Sequence, residues 1–137
     1  KSFVDKNNLN NYVELHEQQK NIELFYSKFD VFLLTSIYEG CPNVLFEAMI
    51  SRCLCVVSKG SNSDSFIKDG YNGFEYDGSD LMLEKKLIRA LNLIKSNMAE
   101  DLLNNAFNYT IENFSIEKMT SKYVNLYKNI HENTSNK

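Results

Sequence analysis

The chain has 137 residues, 43% of them hydrophobic and 24% charged, with a net charge of −3. That length suits one domain with a core of its own. The scattered basic residues exclude the basic face of a nucleic-acid binder, and no apolar run approaches the ~20 residues of a membrane span.

Residues 12–16 alternate apolar and polar side chains and predict a short first strand. Residues 21–28 carry Ile22, Leu24 and Phe25, with Phe29 just beyond, at roughly helical spacing. Residues 30–36 form a nearly unbroken apolar run, the pattern of a strand buried on both faces of a parallel sheet. A tight segment at 39–42 follows. A helix then spans about 43–52, with Asn43 as its cap and Val44, Leu45, Ala48 and Met49 facing inward. Residues 54–58 read as a second buried strand, 59–64 as a loop, 65–68 as a helical turn and 69–73 as a turn in which Gly or Asn can take positive φ. A last strand is expected at 74–76.

Apolar stripes at 3.6-residue spacing predict helices across 80–133, all read as core-facing, with Ser115 capping the last. The tail after His131 is expected to fray. Cys41, Cys53 and Cys55 are odd in number and contain no Cys-x-x-Cys pair. A disulfide framework and a zinc site are therefore not expected, and Cys53 and Cys55 read as small apolar residues in or near a buried strand. A reducing, cytoplasmic location follows.

Strands alternating with helices imply an α/β fold, a parallel sheet with helices on both faces. Ligands of such sheets bind beyond the carboxyl ends of the strands. The loop after the 30–36 strand leads straight into a helix start, so the site is sought there. In Glu39-Gly40-Cys41-Pro42-Asn43-Val44-Leu45-Phe46-Glu47 two carboxylates bracket a turn and the first turn of a helix. A helix start offers backbone N–H groups and partial positive charge to phosphate oxygens, and carboxylates accept hydrogen bonds from sugar hydroxyls. A diphosphate with a sugar ring at each end matches this order. A hydrolase acid–base pair needs carboxyls ~5–9.5 Å apart, which this spacing suits poorly. Two surface acids at a helix start are the bland alternative.

The run Ser36-x-x-Glu39-Gly40-x-Pro42-Asn43-x-x-x-Glu47-Ala48-Met49 resembles the donor-site motif of the family-four retaining glycosyltransferases of GT-B fold. Ile67-x-Asp69-Gly70-x-Asn72-Gly73-Phe74 is similar to the turn that follows in that family, and Tyr26-Ser27-x-x-Asp30-Val31-Phe32 to its helix-to-strand entry. The resemblance implies a Rossmann-like sheet flanked by helices, the incomplete C-terminal half of a GT-B fold, with residues 1–137 as one partial nucleotide-sugar-binding domain.

It also implies that Glu47 grips the ribose hydroxyls of a nucleotide-diphosphate sugar. Glu39 becomes the catalytic carboxylate beside the transferred sugar. Gly40, Cys41, Pro42, Asn43 and Val44 contact donor sugar and phosphate, Pro42 by shape alone. Leu15 and His16 are candidates for contact with the base, although a lone histidine is more often an ordinary loop residue. No metal or other cofactor is implied, and transfer proceeds with retention by front-side delivery.

Two departures stand out: Arg52 and Leu54 occupy places where the family has Gly and Pro, and residues 60–65 replace a Gly-Gly turn and its acid. Arg52 is either a solvated helix end or a group that narrows the back of the site. The chain begins without Met, and the resemblance leaves an N-terminal acceptor-binding domain and a diphosphate-clamping Lys and Arg outside it. The expectation is a lobe inactive alone, with any membrane contact made through the absent domain at the inner face. The alternative is a degenerate lobe kept as a structural or protein-interaction module.

Overall fold

A computed structural model of the chain describes residues 2–62 and 64–135. At its centre is a parallel sheet in the order β1-β2-β3, with β1 at Val31–Leu34, β2 at Leu54–Ser58 and β3 at Phe74–Tyr76. Val31 pairs with Leu54, and Val56 with Phe74, at the start of the two ladders. The helices are α1 Ser2–Lys6, α2 Glu23–Tyr26, α3 Asn43–Ile50, α4 Asp80–Lys95, α5 Glu100–Phe114 and α6 Ile116–Ser135.

β2 shows why the sheet needs cover on both faces. All its residues are buried. Successive side chains of a strand point to opposite faces. Cys55 and Val57 join one cluster with Leu45, Met49 and Ala106, while Leu54 and Val56 join another with Phe74 and Ala90. Thus α3 and α5 cover one face and α4 the other. All three cysteines are free, with Cys53 and Cys55 buried as expected.

β1 carries the same kind of apolar run but is only half-buried, with Leu33 39% exposed. It is the edge of this sheet, so its outer side has no neighbour among the described residues.

Other expectations are corrected. Residues 12–16 form no strand: the backbone turns at 9–13, Tyr12 is 85% exposed, and no strand lies alongside. Alternation without a ladder partner does not make a strand. The helical spacing at 21–28 yields only the four residues of α2, and its buried residue is Tyr26 while Ile22 and Leu24 stay exposed. No helical turn forms at 65–68, because Ser65 has a φ of 55°, which a right-handed helix cannot include.

Ser115 does cap α6, accepting from the Lys118 N–H at 3.3 Å. The helix continues past His131 to Ser135 instead of fraying. Its apolar stripe is not core, with Ile116 74% and Tyr127 66% exposed, since α6 packs chiefly against α5. No helix among the described residues is long and apolar enough to cross a membrane.

Candidate functional site

The loop leaving β1 is stitched to the loop leaving β2. Ser58 Oγ donates to the Ser36 carbonyl at 2.6 Å and lies 2.7 Å from Ser61 Oγ, which itself reaches that carbonyl at 3.0 Å. The Glu39 N–H donates to the Gly60 carbonyl at 3.2 Å. A Cβ on Gly60 would stand 1.8 Å from the Ile37 carbonyl oxygen, so only glycine lets these two loops approach. Ser36, Ile37, Ser58 and Gly60 border a crevice of about 320 Å³ at the carboxyl edge of the sheet, and the Glu39 backbone sits beside it. Gly60 and Ser61, both in the 60–65 stretch that departs from the family pattern, thus help hold the loop that carries Glu39.

α3 starts in the open. Gly40, Cys41, Asn43 and Val44 are exposed, and nothing lies within 4 Å of where a Cβ would stand on Gly40. The cap residue is the buried Pro42, not Asn43, which is already the first helical residue. Proline's restricted φ suits this entry at −78°, and its carbonyl accepts from the Leu45 N–H at 2.9 Å. The cap residue offers no side-chain hydrogen bond to the helix. Its first N–H groups therefore lack the hydroxyl or carboxylate that a Ser, Thr, Asp or Asn at the cap position would supply. Of the residues expected inward, Leu45, Ala48 and Met49 are buried, but Val44 is 40% exposed and Phe46 is buried instead.

Glu47 lies one turn further along α3 and is the junction of two cavities. One, of about 460 Å³, runs between α3, α5 and α6 and is bordered by Cys41, Asn43, Glu47, Asn113 and Lys122. The other, of about 320 Å³, lies toward α2 and is bordered by Ile22, Tyr26, Glu47 and Ile50. The buried Tyr26 donates its hydroxyl to Glu47 Oε2 at 3.1 Å and approaches the Val44 carbonyl at 3.3 Å. Burial first, then the Glu47 hydrogen bond and charge, push the Tyr26 phenol up to about 12. Tyr26 therefore remains a proton donor at any physiological pH.

The structure thus gathers Cys41, Asn43 and Glu47 at one cavity and leaves Glu39 beside the separate edge crevice. His16 borders a third cavity of about 420 Å³ with Ile22, Phe25 and Phe29. Its ring packs edge-on against Phe25 at 5.2 Å and lies 3.2 Å from a Glu14 carboxylate oxygen. Leu15 is 60% exposed.

Two residues at these cavities escape sequence reasoning. Lys122 comes from α6, far away along the chain, and nothing local marks it. Tyr26 has a signal, its place in the helix-to-strand entry, but no spacing shows that its hydroxyl reaches Glu47.

The second motif is scaffolding. Asn72 is 1% exposed, accepts from the Lys68 N–H at 2.7 Å and donates to the Phe66 carbonyl at 3.0 Å. Positive φ falls on Gly70 and Gly73, not on Asn72. Asp69 accepts from the Glu75 N–H at 3.0 Å and pairs with Lys86 at 2.6 Å.

The remaining departures are also structural. Arg52, at φ 62°, closes α3 in a Schellman motif, with its N–H to the Met49 carbonyl and that of Cys53 to the Ala48 carbonyl. Its guanidinium reaches Glu100 at 2.7 Å and Asn104 at 2.9 Å on α5, at the opposite end of α3 from Gly40–Val44. Leu54 donates its N–H to the Asp30 carbonyl at 2.9 Å, a bond that a proline would forgo.

Residues 1–109 match the family model for glycosyl transferases group 1. Over 99 residues the chain is 28% identical to the UDP-Gal:alpha-D-GlcNAc-diphosphoundecaprenol alpha-1,3-galactosyltransferase of Escherichia coli, covering 72% of this chain and 25% of that protein. The crystal structure of a glycosyltransferase from Rickettsia africae is similar at a TM-score of 0.86 and 20% identity, over 96% of this chain and 35% of that one. Anabaena Alr3699/HepE in complex with UDP is similar at a TM-score of 0.82 and 18% identity, over 93% and 35%. The chain thus spans only 25% of the curated relative and 35% of these two structures.

Proposed function

The chain belongs to the glycosyl transferases group 1 family and has the α/β fold of its GT-B relatives, and on that premise we propose that it is the donor-binding lobe of a retaining glycosyltransferase. The donor is a nucleotide-diphosphate sugar, and the product a surface glycan or glycolipid. The observation that carries this reading is the open, uncapped start of α3 with Glu47 one turn away at the meeting of two cavities.

The cavities follow one another as such a donor requires. The His16–Phe25 cavity and the Tyr26–Glu47 cavity share Ile22, and the Tyr26–Glu47 cavity shares Glu47 and Ile50 with the larger one. A base beside His16 and Phe25 places the ribose hydroxyls within reach of the Glu47 carboxylate, which accepts hydrogen bonds from both. The diphosphate then meets the first N–H groups of α3, where the helix dipole favours negative charge.

Glu39 stands on the loop before that helix, and its carboxylate stabilises the positive charge that develops at the anomeric carbon. Front-side delivery, assisted by the leaving diphosphate, retains the anomeric configuration. No metal ion takes part. A uridine donor is supported by the name of the E. coli relative and by UDP in the HepE complex.

Acceptor binding belongs to a further, N-terminal domain of a longer protein, and this lobe does not transfer sugar alone. The longer protein is cytoplasmic and touches the inner face of the membrane through that domain. The reading as a degenerate lobe rests on Arg52 and Leu54, yet both have structural work in α3 and β2.

The test is calorimetric titration of UDP into the longer protein. Glu47→Ala should weaken binding by about 1.5–3 kcal/mol, roughly 10- to 150-fold, for lost hydrogen bonds to a charged group. Unchanged affinity would remove Glu47 from the ribose and the reading with it.

A further inference from the structure

The proposed role of Glu47 leaves a physical problem. An exposed glutamate on a helix samples several rotamers, and freezing one on a ligand costs binding free energy. Here the side chain is already anchored. Tyr26 lies on α2, 3% exposed, with its ring edge-on to Phe32 at 5.9 Å. Its hydroxyl reaches Glu47 Oε2 at 3.1 Å from the side of α2.

We infer that Tyr26 is a positioning residue for nucleotide recognition: its buried hydroxyl holds the Glu47 carboxylate in the orientation that accepts the ribose hydroxyls. The inference rests on the ribose reading of Glu47. A phenol has one proton to donate. Of its two acceptors, the carboxylate is both nearer and charged, and such hydrogen bonds are the stronger ones. The carboxylate keeps lone pairs to spare, because its two oxygens together offer about four acceptor positions.

The same hydrogen bond ties α2 to α3, one turn from the helix start where the diphosphate is placed. The upward shift of the phenol keeps the contact proton-donating, so two like charges never face each other there.

The experiment is a double-mutant cycle in the longer protein, with Tyr26→Phe, Glu47→Ala and both, titrated with UDP and with 2′,3′-dideoxy-UDP. Tyr26→Phe keeps the ring against Phe32 and removes only the hydroxyl. It should weaken UDP about two- to tenfold, the cost of immobilising on the ligand a glutamate side chain that Tyr26 no longer holds. It should leave dideoxy-UDP unchanged and have no further effect in the Glu47→Ala background. With a saturating acceptor, it should raise the donor KM and leave kcat unaltered.

If Glu47→Ala weakens UDP while Tyr26→Phe does not, the positioning role is wrong and the ribose reading stands. The positioning role also fails if Tyr26→Phe weakens both nucleotides alike, or still weakens UDP without Glu47, because its effect is then a general loss of packing. If Glu47→Ala leaves UDP binding intact, both ideas fall.

Discussion

Arg52 takes a backbone conformation, φ 62°, that usually goes to glycine at a helix end, and it does so while pairing with Glu100 across an exposed surface. A side chain in that conformation costs about 1–2 kcal/mol, whereas an exposed ion pair returns only about 0–1 kcal/mol. Arg52→Ala keeps the strain and loses the pair; Arg52→Gly loses both. In urea melts, Arg52→Gly should therefore be more stable than Arg52→Ala by about 1 kcal/mol, after the greater chain entropy of glycine offsets part of the gain. Equal midpoints would mean that α3 does not end as described. The position also shows how a departure from a family pattern can arise by exchanging a backbone preference for a side-chain contact, leaving the fold intact.

Among the elements, α3 joins structure to site. Its start is open for a ligand, so its stability must come from the inner face. Phe46 stacks on Phe114 of α5 at 4.0 Å and meets Phe66 of the 59–73 loop edge-on at 5.1 Å. Met49 Sδ lies 3.7 Å from the buried Thr110 hydroxyl, which donates to the Ala106 carbonyl at 2.9 Å. One side chain thus clamps a helix and a loop to α3, and Phe46→Ala removes the clamp. The expected cost is about 3–5 kcal/mol, as for large-to-small changes in other cores, read from urea unfolding. A loss under about 1 kcal/mol would show that the aromatic cluster is not what seats α3.

For the molecule as a whole, two apolar surfaces lie uncovered among the described residues. α6 exposes Ile116, Tyr123 and Tyr127 along one stripe, and the edge strand β1 exposes Leu33. Contiguous apolar patches of this kind are rare on isolated soluble domains. In the longer protein we propose, further chain covers them. The chain of 137 residues on its own should therefore enhance the fluorescence of an apolar dye such as ANS, and the longer protein should do so far less. Equal enhancement would show that these faces stay bare.

Much of this architecture was legible in the residues themselves. The apolar run of Leu54–Val57 marked β2, because a strand covered on both faces leaves few polar positions, and the turn at 69–73 placed β3 at Phe74–Tyr76 although Glu75 breaks its apolar pattern. The spacing from Glu39 to Glu47, with its neighbouring motifs, marked the loop and helix start. What the chain alone could not reveal were contacts between distant segments: Tyr26 with Glu47, Lys122 at the same cavity, and Gly60 under Ile37. Nor could it show that residues 12–16 lack a ladder partner, or that the α6 stripe stays uncovered. Local periodicity records what a segment can bury, whereas only the packed fold decides which surfaces meet.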